Sequence, residues 1–489
     1  MTRPAFVRSL HAEWTKFRTV PTWPIGMAAA ALLLVLFALL AGLSSVQKDV
    51  PPVPIGPGGE PVTDSFYFVH RPLTGNGSIT VSVPRLESRI PETPDDLRPG
   101  VVPWAKAGLI VKAGTRPGSR YAAIMTTGGH GVRMQHGYVN DAGLPGTSAH
   151  RLRLVRSGDT ITGYASPDGT RWTEVGTARL RGLGPTVQAG LFVASPPAVD
   201  GLGTRGTVST ATFENLRTTQ ATGQWTGDQI GAESPTFAGY PPRTSGSFTE
   251  TGGRFTVTGA GDIAPAVRET LPTGGTVREI LTGTFAALIA VIVVGALFVT
   301  TEYDGGLIHV TLAATPKRGR SLAAKATVLG SAAFVAGLAG TLVAAPLGER
   351  LADANGVYIF PVEPPTELRV AIGTAALLAT ASILALAVGT IVRNGAVAVT
   401  AVTVSIVLPY ILMAVPFLPA SVSNGLARVT PGAAFAVQQT LVPYDQVASL
   451  YKPSNGYYPL SPWAGFAVLA AYTIVALAVA LAVLHRRDA

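Results

Sequence analysis

The chain has no cysteine, which excludes a disulfide framework, thiolate metal sites and a cysteine nucleophile together. Charge is scarce too. Only 13% of the 489 residues are Asp, Glu, Lys or Arg, against 47% hydrophobic, and mean hydropathy is +0.36. So little charge cannot clothe a fully hydrated surface, and much of the molecule must face something other than water. The net charge of +9 would suit nucleic acid, but no Lys/Arg block with interleaved aromatics occurs, so no nucleic-acid partner is expected. No G-x-x-x-x-G-K-[ST] phosphate loop is present, so this chain cannot by itself be a P-loop ATPase, and no H-E-x-x-H pair of zinc ligands occurs.

What the chain does have is long apolar runs, with cations clustered beside them. Six occur: Ile25 to Leu43, Ile280 to Val299, Leu322 to Ala345, Arg369 to Val392, Ala396 to Leu418 and Trp463 to Leu484. Each is about 20 residues, enough for a transmembrane helix. Pro409 and Pro416 predict a kinked or broken fifth span. Ala433 to Leu441 is expected as a short helix at the outer surface. Ahead of the first run, Phe6, Leu10, Trp14 and Phe17 fall on one helical stripe, which predicts an interfacial helix with an aromatic anchor. The first run is too long for a signal-peptide core and lacks a convincing cleavage site, so a retained span is expected.

Between the first two runs the sequence changes character. It becomes rich in Gly, Pro, Thr and Arg, with short alternating segments around Asn76-Gly77, Gly158-Asp159 and Asp168-Gly169. Such dipeptides suit hairpin turns, and many short strands so punctuated predict an all-β sandwich. The expected fold class is a multi-span α-helical membrane protein with an inserted extracytoplasmic all-β sandwich. Residues 1–23 form the interfacial helix, 24–44 the first span, 45–275 the sandwich, and 276–489 the second to sixth spans with a cytoplasmic loop at 301–321.

Orientation follows from the short loops. With the N-terminus inside, cytoplasmic segments carry Arg3, Arg8, Lys16, Arg18, Lys317, Arg318, Arg320, Lys325, Arg393, Arg486 and Arg487, while the short outer loops carry only Arg350, Arg369, Arg428 and Lys452. Both termini are therefore expected inside a bacterial cytoplasmic membrane and the β domain outside. The spans hold almost no interior ionisable groups of the kind that relay protons or ions, which argues for energy delivered from outside this chain. No catalytic or metal-binding residues are assigned. His130 and His136 read as loop polar residues without a third ligand, and Glu92, Asp95 and Asp96 as a solvated loop.

Two stretches resemble a known family. AEWTKFRTVPTW (Ala12 to Trp23) and TEYDGGLIHVTLAATPKRGRSLAAK (Thr301 to Lys325) are similar to the leader and first cytoplasmic loop of bacterial ABC transporter permeases of the ABC-2 type. TPGAAFAVQQT and the C-terminal PLSPWAGFAVLAAYTIVALAVALAVLHRRDA also look like that family. Asp304, Gly306 and His309 depart from its usual pattern. The resemblance implies a homodimer or heterodimer of permeases in the lipid bilayer, each docked to a separate cytoplasmic ABC ATPase subunit. That partner would bind ATP and Mg, with no cofactor in this chain. It also implies that Trp14, Lys16, Arg18, Glu302, Tyr303, Lys317, Arg318 and Arg320 receive the ATPase stroke, and that the complex exports a substrate by alternating access.

The inserted domain, through WAKAGLIVKAG (Trp104 to Gly114), LRLVRSGDTITGYASPDGTRWTEVG and VQAGLFVAS, resembles concanavalin-like sandwiches of the laminin-G/glucanase type. GGRFTVTGAGDIAP (Gly252 to Pro265) resembles the start of such a module, so Phe255 to Thr258 is expected to pair with the main sandwich. Some modules of that type bind glycans on aromatic platforms, which makes Trp104, Tyr121, Tyr164 and Trp172 candidate ligand residues. The alternative reading is a membrane-anchored extracytoplasmic glycan- or ligand-binding or sensing protein.

Overall fold

A computed structural model describes residues 5–44, 52–93, 96–144, 150–199, 203–231, 246–270, 274–304, 317–415 and 418–486. The chain divides into two units. One, Met1–Val50 with Thr273–Val442 and Tyr451–Ala489, is helical; the other is Pro51–Pro272 with Pro443–Leu450 added. The sequence carries no signal for that second piece, which comes from between the last two apolar runs.

In the helical unit α1 (Ala5–Thr19) leads into α2 (Thr22–Ser44). Pro24 is tolerated because it lies in the first turn of α2, where its missing N–H has no helical acceptor. The unit continues with α3 (Thr284–Asp304), α4 (Arg318–Ala354), α5 (Pro364–Val392), α6 (Gly395–Ala414), the short α7 (Ala420–Val429) and α8 (Pro462–Arg486). Among the described residues six helices are long and apolar enough to cross a membrane: α2, α3 with the turn before it (Val277–Tyr303), α4, α5, α6 and α8.

Small residues set how closely these helices pack. On α2, Trp23, Met27, Ala30, Leu34, Ala38 and Gly42 form one buried stripe. A side chain at Gly340 of α4 would meet the Ala31 carbonyl at 3.0 Å, and one at Gly295 of α3 would meet the Ser382 carbonyl at 2.4 Å. Such backbone approach is how helices associate where burial of apolar surface supplies little drive. Outward-facing Leu32, Leu40, Val335 and Ile474 stay exposed.

Helix α6 keeps Pro409 inside and ends at Ala414, whereas Pro416 lies outside the described residues. The stretch expected as a surface helix at Ala433 to Leu441 is instead a buried 3-10 helix over Pro431–Gln438. Its Gln438 donates to the hydroxyls of Thr284 at 2.9 Å and Thr374 at 3.1 Å, a partnership that hydropathy cannot reveal.

The other unit is built on β2 (Phe66–Thr93), a strand of 28 residues. It runs straight through Asn76-Gly77, so the hairpin expected there does not form. Around it lie β3 (Asp96–Gly100), β4 (Lys106–Lys112), β5 (Tyr121–Thr127), β6 (Val132–His136), β7 (Asn140–Leu144), β8 (Arg151–Ser157), β9 (Thr160–Ser166), β10 (Thr173–Arg179) and β11 (Thr186–Ala194). One path of strands runs β10-β9-β8-β2-β11-β4-β5-β6-β7. The Gly158-Asp159 turn joins β8 to β9 as expected, with Ser157 opposite Thr160. Asp168 accepts from the amides of Thr170 and Arg171 in the next turn. Hydrogen bonds from those amides hold its carboxyl well below the usual range. The segment expected as a solvated loop near Glu92 is a β2–β3 hairpin in which Arg98 pairs with Glu92 at 3.0 Å; Asp95 lies outside the described residues.

Four later strands close the sandwich: β12 (Val208–Ala221) and β13 (Thr226–Ile230) on β2, and β14 (Ser247–Thr251) on β15 (Arg254–Gly259). Strand β15 pairs with β12, Thr258 opposite Thr210 and Phe255 opposite Phe213, so the late segment does join the main sheets. Inside lie Val69, Ile79, Leu109, Ile124, Leu191 and Val257. Every residue of β4 is buried, so both faces of the sheet are covered. Leu109 and Val111 enter that core, while Ile110 joins Phe66, Phe68, Tyr121 and Phe192 on the opposite face. There a two-stranded ribbon of β1 (Val62–Asp64) and β16 (Ile263–Pro265) contributes Val62 and Ile263.

Candidate functional site

The densest charge inside the helical unit lies where α1, α3 and α4 meet. On α1, Glu13, Lys16 and Phe17 are three and four residues apart and share a face. Glu302 stands near the end of α3 and Lys325 in the second turn of α4. The Lys325 ammonium reaches both oxygens of Glu13, at 2.9 and 3.0 Å, and also donates to Glu302 Oε1. Lys16 donates to the same Glu302 oxygen. Two cations and two carboxylates thus close a neutral cluster joining three helices.

Its surroundings are apolar. Glu302 and Lys325 are buried at 2% and 3% exposure. The Lys16 and Lys325 ammonium groups lie 5.0 and 5.4 Å from the Phe298 ring, which Phe17 and Trp23 also contact. Such cation–ring contacts contribute about 0.5–2 kcal/mol each. Mutual pairing is what makes four buried charges tolerable; an unpaired one would cost several kcal/mol. Lys16 is the outermost member. Burial, then the neighbouring Lys325 charge, lowers its pKa to about 8, while Glu13 opposes the shift. Glu302 Oε2 has no hydrogen-bond partner, so the cluster holds one spare acceptor.

Of the residues expected to receive a partner's stroke, Lys16 and Glu302 are brought together here. Tyr303 is half-buried beneath the Arg393 guanidinium, 5.0 Å from its ring. Lys317 is exposed at the start of α4, Arg320 is half-buried, and Arg318 donates to the Leu484 carbonyl of α8. Arg18 is exposed, and so is Trp14, stacked on Phe17 at 5.8 Å. The inward face of α1 is therefore Glu13-Phe17 with Leu10 beside it, and Trp14 and Phe6 point outward. Residues 305–316, with Gly306 and His309, lie outside the described residues.

Sequence reasoning passed over Glu13 and Lys325 as site residues, although both stand in the stretches it singled out. The available signal was a carboxylate four residues before the buried Phe17, and a lysine seven residues into a helix that carries no further charge until Glu349.

In the sandwich the fully buried Lys112 donates to Asp64 at 2.6 Å and to Tyr138 at 3.1 Å, and Tyr138 donates to Asp64 at 2.7 Å. Lys106, also fully buried, binds Asp262 at 2.5 Å and the Ile263 carbonyl at 2.9 Å. Burial pulls Lys112 down against the pull of Asp64, and burial beside Asp64 pushes Tyr138 far up. These pairs fasten the β1–β16 ribbon over the sheet. Two of the four candidate platform aromatics are accordingly inaccessible: Tyr121 is 1% exposed against Tyr138, and Trp104 is 7% exposed, stacked on His130 at 3.9 Å. A sugar could reach only Tyr164 and Trp172, and Trp172 already lies under the Arg153 guanidinium at 4.1 Å.

No protein-family model and no curated protein matches the chain. Among solved structures, it is similar to a functionally unknown protein from Saccharomyces cerevisiae at 14% identity and a TM-score of 0.21, over 37% of this chain and 87% of that one. It is also similar to SCP-B, a member of the Eqolisin family of peptidases solved with the tripeptide Ala-Ile-His, at 7% identity and a TM-score of 0.26, over 40% of this chain and 98% of that one. At those TM-scores neither likeness bears on what the chain does.

Proposed function

We propose that this chain is the membrane subunit of an ABC exporter of the ABC-2 type, which moves a substrate by alternating access driven by a separate ATPase subunit. Both termini and the segment 301–321 would face the cytoplasm, and the β-sandwich the outside. The observation that carries this reading is the Glu13–Lys325–Glu302–Lys16 cluster. It locks the leader helix to the ends of two apolar helices, so a force applied to α1 is passed to α3 and α4 as one body. Paired charges do this better than apolar contacts, because separating them exposes unpaired charge and the assembly resists partial opening. The resemblance of Ala12 to Trp23 and Thr301 to Lys325 to the ABC-2 leader and loop supports the same reading. So does the lack of a phosphate-binding loop in the chain.

Around the cluster, exposed Arg18 and Lys317 with half-buried Arg320 would offer cations to an acidic partner surface. The test is to reverse charge at Lys317, Arg318 and Arg320 and purify the chain from its own membranes in mild detergent. The parent chain should bring an ATPase with it; the variant should insert normally and bring none. An ATPase that stays with the variant, or none with the parent, overturns the assignment.

A further inference from the structure

The helical unit holds a cavity of about 300 Å³ between α4 and α5, the small end of the range for ligand pockets. It lies toward the end of α4 remote from Lys325. Its walls include Leu342, Ala345, Pro346, Leu368, Val370 and Ala371. Leu342 and Leu368 are 55% and 57% exposed, so the cavity opens sideways through the apolar surface of the helices. Its charged groups are all acidic. Glu349 and Glu367 line it, and Asp353 stands one turn beyond Glu349. Among the described residues neither glutamate has an ion-pair partner. Thr341, 1% exposed, and Thr440 also line it, and neither hydroxyl has a hydrogen-bond partner. Pro346 lacks the amide that would bond the Leu342 carbonyl one turn earlier, which leaves that backbone acceptor short of its helical donor.

We infer that this cavity binds a cationic amphiphile, an ammonium group carried on an apolar tail, admitted laterally from lipid. The entry route rests on the membrane reading above. The ammonium donates to Glu349 and Glu367, with Thr341 and the Leu342 carbonyl as further acceptors, and the tail lies along Leu342, Leu368 and Ala371. A neutral amphiphile would leave the half-buried Glu349 carboxylate uncompensated beside apolar walls, and an anionic one would add repulsion from both glutamates. If the chain exports, this is the class of substrate that the cavity selects.

The test uses the full chain in nanodiscs of zwitterionic lipid, without any ATPase. Dodecylammonium carrying a diazirine in its tail is photolysed beside the matching alcohol and sulfate, and labelled peptides are mapped. The ammonium should label 341–349 and 364–371 about tenfold more than the alcohol, as expected for one charge-assisted contact, and the sulfate should not label them. E349Q/E367Q should bring the ammonium down to the alcohol's level. Ala345→Trp, which fills the cavity and leaves the carboxylates in place, should abolish labelling if the double variant proves unstable. Equal labelling by ammonium and alcohol, labels spread evenly along α2 and α8, or labelling that survives Ala345→Trp overturns the inference. Because no ATPase takes part, failure here leaves the exporter reading standing, and loss of that reading leaves this result unchanged.

Discussion

Replacing Lys325 by methionine removes the one cation that touches both carboxylates of the buried cluster, at almost constant side-chain volume. Glu13 then loses its ion-pair partner, and Glu302 keeps only Lys16, whose side chain is 30% exposed. Removing one member of a buried pair typically costs about 3–5 kcal/mol, because the remaining charge stays desolvated. Spread over a unit of this size, that corresponds to a fall of ~10 °C in apparent unfolding temperature. The damage should fall on the docking of α1. Since the chain has no native cysteine, spin labels at Ala12→Cys and Thr327→Cys, both exposed positions, report the α1–α4 distance. K325M should broaden that distribution, whereas K325M/E13Q, which removes a charge of each sign, should narrow it again. The two substitutions should be non-additive by about 0.5–3 kcal/mol, as for groups in direct contact. A sharp distribution in K325M, or strict additivity with E13Q, would refute the claim that the cluster clamps the leader helix.

Three further outcomes are expected. Between about pH 8, where burial places Lys16, and 10.5, the ordinary lysine value, the unfolded chain binds more protons than the folded one. Stability of the helical unit should therefore rise with pH across that window, and Lys16→Met should remove the rise in a pH series of unfolding temperatures. In the sandwich, a Cβ added at Gly190 of β11 would meet the Val69 carbonyl at 1.9 Å. Gly190→Ala should make the 51–272 segment protease-sensitive while the helical unit stays intact; an unchanged digestion pattern would contradict the strand packing. Gln438→Leu removes the donor that Thr284 and Thr374 share, and should lower the unfolding temperature of the helical unit more than Gln439→Leu does.

Most of the architecture was legible in the chain. Apolar runs of spanning length mark six helices, because lipid-compatible helices must be apolar on nearly every face. Gly158-Asp159 marks a hairpin because its glycine sits at φ 61°. Asn76-Gly77 misleads, since β2 needs partners on both sides along its length and those ladders override the turn preference of two residues. Aromatic residues in strands were ambiguous for a related reason. Alternation says that Tyr121 faces one side of the sheet, but only the tertiary structure reveals that the β1–β16 ribbon covers that side. The charge cluster was half visible. Lys16 and Glu302 stood out by motif, whereas their partners Glu13 and Lys325 are distant in sequence from each other, and no local pattern encodes that meeting. The addition of Pro443–Leu450 to the sandwich unit was wholly illegible, because Ser449 and Leu450 are held by Glu269, 180 residues or more away.

The most direct test of the account is a crosslink from the exposed start of α4. Lys317→Cys carrying a benzophenone is photolysed in native membranes, with and without ATP, and its adducts are sequenced. The account predicts a single major adduct to a polypeptide that contains a G-x-x-x-x-G-K-[ST] phosphate loop, with a yield that changes when ATP binds. Adducts only to lipid or to further copies of this chain would contradict it.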